Sequence, residues 1–253
     1  MAHRFVATED APLSRIDEHR FDRQLFFGRP DVAGPGPQIY VNTVDPGVEL
    51  AAHFHKVDQF QVFFGTPGAT FKRREISPVM VHYTDAYSTY GPFRAADDKA
   101  LRYATIRAES SNFGGVMPGA RAELTRRGRR SMSVAVEQAS LACVPEPGES
   151  SIVDVIEEHD DGLAARLVLL GPGGRRRLAP QARSAGRGWL IVAGDLVVDQ
   201  SSYAAGTIGW SSGDDRDIAV TGGPDGAVVL LLDFPSPPTN TVPPDAGQEE
   251  LVR

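Results

Sequence analysis

The chain has 253 residues and a formal charge of -7, from 33 acidic against 26 basic side chains, with 41% hydrophobic and 23% charged residues. That length holds one large domain or two smaller ones, each with a core large enough to fold without disulfides or a structural metal. The acidic balance gives no reason to expect nucleic acid or an anionic membrane as a partner, and no stretch approaches the run of about 20 apolar residues that spans a bilayer.

Residues 1–35 read as an irregular N-terminal extension. They mix charges of both signs without an apolar h-region, so no signal peptide is expected. Within them "FDRQLFF" (21–27) is a short apolar segment able to cover a sheet edge. From residue 36 onward, apolar runs of strand length follow one another between glycines and prolines: "PQIYVNTV", "DQFQVFF", "VMVHYT" and "LRYATIRA" in the first half. "SSIVDVIEE", "AARLVLLG", "GWLIVAG", "DLVVDQ" and "AVVLLLDF" follow in the second. Short runs rich in Val, Ile, Tyr and Phe, closed by turn residues, predict strands, and many of them predict an all-β sandwich or barrel. The chain reads as doubled, with strand-rich segments at 36–117 and 151–235. The Arg-rich stretch 118–150 between them reads as a linker with a possible short helix over "GARAELTRRGRR" (119–130), its "RRGRR" (126–130) a solvated face. Residues 236–253 form a Pro-rich polar tail. Cys143 is the only cysteine, which fits a reducing, cytoplasmic setting and an incidental thiol. "GPGGRRR" (171–177) lacks the Lys-Ser/Thr of a phosphate loop and reads as a hairpin turn with exposed charge.

Chemistry concentrates in "HFHKVDQFQVFFG" (53–65). Residues i and i+2 of a strand share a face, so His53 and His55 project together and form two corners of a metal site. Gln59 has the same parity. It can supply an oxygen ligand or a hydrogen bond that orients an imidazole. His82 is either a third ligand or a buried histidine hydrogen-bonded inside a barrel. Tyr83, Asp85, Tyr87 and Tyr90 crowd one segment, where they either line a pocket with a tyrosine hydroxyl as proton donor or pack at a barrel mouth. Arg94 can bind a carboxylate or enolate oxygen, or make a surface salt bridge.

This stretch resembles the cupin family, whose first motif is G-x5-H-x-H-x3,4-E-x6-G. Gly47, His53, His55 and Gly65 fall on it, with Gln59 at the position of the metal-binding Glu and five residues, not six, before Gly65. Of the second motif, G-x5-P-x-G-x2-H-x3-N, Gly91 matches, while Thr89 stands for Pro and Arg94 for His. In the second half, Gln181 and Arg183 fall at the two His positions, Arg187 at the Glu position, and Ser211, Gly213 and Arg216 on P-x-G-x-x-H. A guanidinium donates hydrogen bonds and cannot bind a metal, so the second repeat should be metal-free.

The resemblance implies a bicupin, two jelly-roll barrels from a duplicated unit, the first carrying the site and the second degenerate. It implies one divalent metal, Fe(II) favoured and Zn(II) or Mn(II) also suited, held by His53, His55, Gln59 and His82. Tyr83, Asp85, Tyr90 and Arg94 would then serve the chemistry. The expected activity is dioxygenase-like oxidation of a small aromatic or enol-type substrate by a homodimeric enzyme, with Phe60, Phe63 or Phe64 walling the site. Two alternatives stay open: an isomerase or cyclase working by acid–base chemistry on a polyketide-like substrate, with or without metal, and a non-catalytic binder of a small ligand.

Overall fold

The computed structural model of the chain describes residues 3–29, 32–112, 114–124, 130–179, 183–213 and 217–236. In the first half the strands are β1 (Arg4–Val6), β2 (Leu13–Ile16), β3 (Phe21–Phe27), β4 (Gln38–Val44), β5 (Glu49–Leu50), β6 (His53–Phe54), β7 (Gln59–Phe64), β8 (Thr70–Phe71), β9 (Arg74–Glu75), β10 (Met80–Thr84), β11 (Phe93–Arg94), β12 (Leu101–Arg107), β13 (Gly115–Val116) and β14 (Ser131–Ala135). After a short helix α1 (Gln138–Ala142) come β15 (Ser150–Ile156), β16 (Ala164–Leu170), β17 (Arg175–Leu178), β18 (Ser184–Val198), β19 (Ser201–Ala204), β20 (Ile208–Ser212) and β21 (Ile218–Pro235). The protein is all-β, two jelly-roll barrels in one chain.

The first barrel has a seven-stranded sheet, in the order β14-β10-β7-β12-β4-β3-β2, facing a smaller sheet β5-β11-β8-β9 and the pair β13-β6. The second barrel is built on an eight-stranded sheet along β1-β20-β18-β21-β16-β15, with β17 on β21 and β19 on β18. Its two long strands change direction at register shifts such as Ile191/Ala193 and Gly194/Leu196, the kind of irregularity that lets one strand serve two sides of a barrel.

The central strands of the first barrel have both faces buried, and the two faces differ in kind. Ile39 and Val41 of β4, Phe60 and Val62 of β7, and Ala104 and Ile106 of β12 point outward into an apolar seam. There they meet Leu167, Leu169, Leu190, Leu230, Leu232 and Phe234 of the second barrel. Phe60 packs on Tyr83 at 4.9 Å and edge-on to Phe234 at 5.0 Å between ring centroids, contacts worth about 0.5–1.5 kcal/mol each beyond area burial. The intervening residues point into the barrel: Gln38, Tyr40 and Asn42 on β4, Gln59 and Gln61 on β7, and Tyr103, Thr105 and Arg107 on β12. One end of that interior is apolar, with Phe63, Phe71, Phe93 and Leu101 clustered. The other end is polar. Phe63 thus walls the interior, whereas Phe60 and Phe64 belong to the seam. The second barrel is filled by its own cluster around Trp189, Ile191, Leu196, Val229 and Leu231.

Several expectations change here. Residues 4–27 are not irregular: β1 joins the second barrel through β20, while the β2–β3 hairpin extends the first barrel's sheet at β4. Strand β14 comes from the presumed linker and pairs with β10. The expected helix over 119–130 is a single 3-10 turn, Arg121–Glu123, and 125–129 lie outside the described residues, as do Gln181, Arg216 and the tail beyond 236. Arg130 is no solvated linker charge. It bridges Asp85 (3.1 Å) of the first barrel and Asp161 (2.7 Å) of the second half. The "GPGG" turn does not close a hairpin, because β16 and β17 follow one another along β21 instead of pairing together. Among the described residues no helix is long and apolar enough to cross a membrane.

Candidate functional site

The two motif glycines set the ends of the site-bearing segment. Gly47 has φ +72, a left-handed conformation that suits glycine. At Gly65 a Cβ would lie 2.3 Å from the Ser77 carbonyl oxygen, so only glycine allows the chain to pass there. Between them β6 forms an antiparallel bridge that places Tyr90 directly opposite His53, each amide donating to the other's carbonyl at 3.0 Å. The amide of Tyr87 donates to the His55 carbonyl at 2.7 Å and ties the same loop to the chain two residues further on.

These backbone contacts bring three rings together. His53 and His55 stand 5.2 Å apart, centroid to centroid, on one side of the chain, as strand parity predicted. Tyr90 lies 4.5 Å from His53 and 6.2 Å from His55. The Nδ1 of His53 is 2.8 Å from the Ala51 carbonyl oxygen, so Nδ1 carries the proton and donates it there. That leaves Nε2 as an acceptor, 2.7 Å from the Tyr90 hydroxyl, which donates to it. All three rings line a cavity of about 630 Å³ that opens past Glu18, His19 and Glu49.

Behind the rings sits Arg107, 2% exposed on β12. Its Nε and Nη2 donate to the Gln59 side-chain oxygen at 3.1 and 3.0 Å, and Nη1 donates to Gln38. Both partners are neutral amides, and no carboxylate among the described residues pairs with this guanidinium. A buried cation without a counter-charge is costly, so the cavity is built around positive potential. It acts on the histidines. Burial pushes His53 below the ordinary histidine value and the charge of Arg107 adds to it. For His55, burial and then Arg107 push it further down. Burial holds the Tyr90 hydroxyl well above the ordinary tyrosine range. The resting dyad is therefore neutral imidazole and neutral phenol.

The other expected site residues are dispersed by strand parity. His82 faces into the barrel, its ring 5.5 Å from Tyr90 and 4.8 Å from Phe71, with Nδ1 2.9 Å from the Ser133 hydroxyl. Burial pushes it down to about 3. Tyr90 stands between it and the histidine pair. Tyr83, one residue on, points to the seam and donates to Asp85 at 2.8 Å, and Asp85 is held by Arg130. Arg94 lies on the outer sheet in an ion pair with Asp97. None of Tyr83, Asp85 or Arg94 is on the cavity wall. The residues not anticipated are Arg23, Gln38, Tyr40, Asn42, Gln61, Tyr103 and Arg107. Apart from Arg23, on the half-buried β3, their signal was present as polar residues alternating with apolar ones along strands buried on both faces.

The fold carries an expectation of a divalent metal, and the packed donors meet it in part. His53 and His55 supply two neutral nitrogens. The Gln59 oxygen is turned to Arg107, so its amide nitrogen is what approaches the Tyr90 hydroxyl, without an acceptor in hydrogen-bonding geometry. No group of three or more His, Cys, Asp or Glu among the described residues could hold a metal ion. A firm site takes about three protein ligands, commonly with an anion among them. As packed, this set lacks the third ligand and the negative charge, and a cationic guanidinium stands behind it.

No protein-family model and no curated protein matches the chain. Solved structures do. A putative dioxygenase from Nostoc punctiforme superposes with a TM-score of 0.62 at 9% identity, covering 95% of this chain and 85% of that one. A bacterial pirin from Escherichia coli, in complex with nickel(II), gives 0.60 at 12% identity, covering 92% and 99%. A variant of oxalate decarboxylase from Bacillus subtilis gives 0.53 at 14%, covering 93% and 78%. At these identities the likeness speaks for architecture alone, and by architecture this chain is a cupin-fold protein.

Proposed function

We propose that the first barrel is the active site of a small-molecule enzyme working by proton transfer, with Tyr90 and His53 as the transferring pair. The observation that carries this reading is the 2.7 Å hydrogen bond from the buried Tyr90 hydroxyl to His53 Nε2 on the wall of the barrel cavity. A ligand carrying an acidic C–H or O–H beside a carbonyl can give its proton to the Tyr90 oxygen while the phenol passes its own to Nε2. The imidazolium formed stays bonded to Ala51 through Nδ1–H, which keeps the ring in place. The enolate formed on the ligand meets positive potential from Arg107, which lines the same cavity and is held in place before the reaction by Gln38 and Gln59. Charge on the ligand thereby offsets the cost of an imidazolium in a buried site. The second barrel serves as a degenerate copy: Arg187, at a would-be ligand position, is paired with buried Asp233 at 2.7 Å, and Arg166 reaches the same carboxylate at 3.2 Å.

A second reading keeps the metal-dependent, dioxygenase-like oxidation expected from the sequence. The histidine pair favours it, as does a fold shared with a nickel-bound pirin. A divalent ion such as Fe(II) would be held by His53 and His55 and would need Tyr90, or a rotated Gln59, as its third ligand; it would supply Lewis-acid or redox chemistry there. One experiment separates the readings. Chelator-treated protein is mixed with enolisable carbonyl compounds in D2O, and proton–deuterium exchange is followed by NMR. Exchange by the metal-free protein that is lost in Tyr90→Phe supports proton transfer. No exchange, or exchange only after metal is added, overturns it.

A further inference from the structure

The cavity contains a second guanidinium. Arg23, on β3, lies over the Tyr40 ring at 4.1 Å and is held by its Nε, which donates to the Asn42 side-chain oxygen at 3.0 Å. Asn42 in turn donates to the Tyr103 hydroxyl at 2.7 Å. This chain of contacts fixes the plane of the guanidinium on the wall of the cavity that Arg23 lines. No carboxylate among the described residues forms an ion pair with Arg23. Its neighbour Asp22 is engaged with Arg15 instead. Arg107 lies over the same Tyr40 ring, at 5.5 Å, so the two cations share one aromatic platform.

We infer that Arg23 is the anchor for a carboxylate on the substrate, which makes the substrate class an organic acid whose enolisable group reaches Tyr90. A planar fork with one edge tied to Asn42 presents its remaining edge to a planar anion, the geometry in which arginine binds carboxylate bidentately. Tyr40, stacked under it, adds a surface for the flat part of an aromatic or conjugated acid. The acidic residues Glu18 and Glu49 stand at the mouth and not beside Arg23 on the sheet. They repel a second carboxylate there, which favours entry of monoacids. Arg107 remains with the enolate end, its three hydrogen bonds to Gln38 and Gln59 already committed.

This assignment rests on the barrel-1 cavity being the active site, and its test is separable from that of the proton-transfer pair. Calorimetric titration of the full chain uses three probes, benzoate, phenylpyruvate and the uncharged methyl ester of phenylpyruvate, against the wild type, Arg23→Gln, Arg23→Lys and Tyr90→Phe. The wild type binds phenylpyruvate about 10- to 100-fold more tightly than its ester. Arg23→Gln loses that discrimination, and Arg23→Lys, which keeps charge without the fork, retains part of it. Tyr90→Phe keeps it. Equal affinity for acid and ester in the wild type overturns the assignment, as does failure of both benzoate and phenylpyruvate to bind. So does discrimination that survives in folded Arg23→Gln. Tight binding of the acid without deuterium exchange would instead remove the proton-transfer reading and leave the anchor standing.

Discussion

Replacing His82 by phenylalanine tests whether the place it occupies inside the first barrel is closed to water and keeps its ring neutral. His82 is wholly buried between β7 and β14, and its pKa is pushed down to about 3 by burial, with the charge of Lys72 adding to it. In the unfolded chain it titrates near 6.5. The folded pKa lies below the unfolded one, so the unfolded state binds the extra proton. Stability is then full above about pH 6.5 and falls as pH drops from there toward 3. Between pH 8 and pH 5 this one residue removes about 2 kcal/mol, a figure that hardly changes while the folded value stays below 4. Phenylalanine keeps a ring against Phe71 and Tyr90 and cannot titrate, and the Ser133 hydroxyl it abandons is on an exposed strand position. Urea unfolding followed by circular dichroism at pH 8 and pH 5 should show the wild type losing about 2 kcal/mol more than His82→Phe over that interval. Equal losses would mean that His82 takes up its proton in the folded protein, and its description as a buried, neutral ring would fail.

Three more outcomes follow from the same geometry. Tyr90→Phe should lower any exchange activity by about 10²- to 10⁴-fold while acid binding persists, since only the transferring hydroxyl is removed; retained exchange in NMR would exclude Tyr90. In Arg107→Met, NMR titration of the imidazole rings should show His53 and His55 taking protons at higher pH than in the wild type, because a repelling cation is gone. Both should stay below the ordinary value, since burial is the larger cause, and unchanged titration would refute the electrostatic coupling. Arg130→Ala strips Asp85, 4% exposed, of its ion pair across the two halves. It should cost about 3 kcal/mol in chemical denaturation, and a loss below about 0.5 kcal/mol would show the bridge to be incidental.

The architecture was readable because strands leave strong local signals. Runs such as "QIYVNTV" and "AVVLLLDF" are short, β-branched and bounded by turn residues, and the glycines of the first motif stand where a positive φ or a close chain approach requires them. The His53–His55 pair was readable by parity alone. Which other side chains join it was not. Tyr83 and Tyr90 are close in sequence, yet one faces the seam and the other the cavity, and what separates them is a bridge between β6 and the loop after β10. Arg94 attracted attention by motif position, while the arginine that faces the site, Arg107, lies on a strand that looked like ordinary core. Its own strand carried the clue. In "LRYATIR" both faces are buried, and the alternate residues Tyr103, Thr105 and Arg107 are polar, so that face had to be lining something other than oil. Of the N-terminal strands, β1 was missed because its partner β20 lies far away in sequence, and the β2–β3 hairpin because it is an edge addition with polar residues on much of its length.

Proton movement at Tyr90 without help from a metal is the central feature of the proposed chemistry. The direct measurement is the rate of deuterium incorporation at the carbon beside the keto group of phenylpyruvate, with chelator-treated protein, before and after adding Fe(II), Mn(II), Ni(II) or Zn(II). Faster incorporation than in buffer, equal with and without each ion and abolished in Tyr90→Phe, is the predicted result. A rate no higher than buffer, or one that rises only when an ion is supplied, contradicts it.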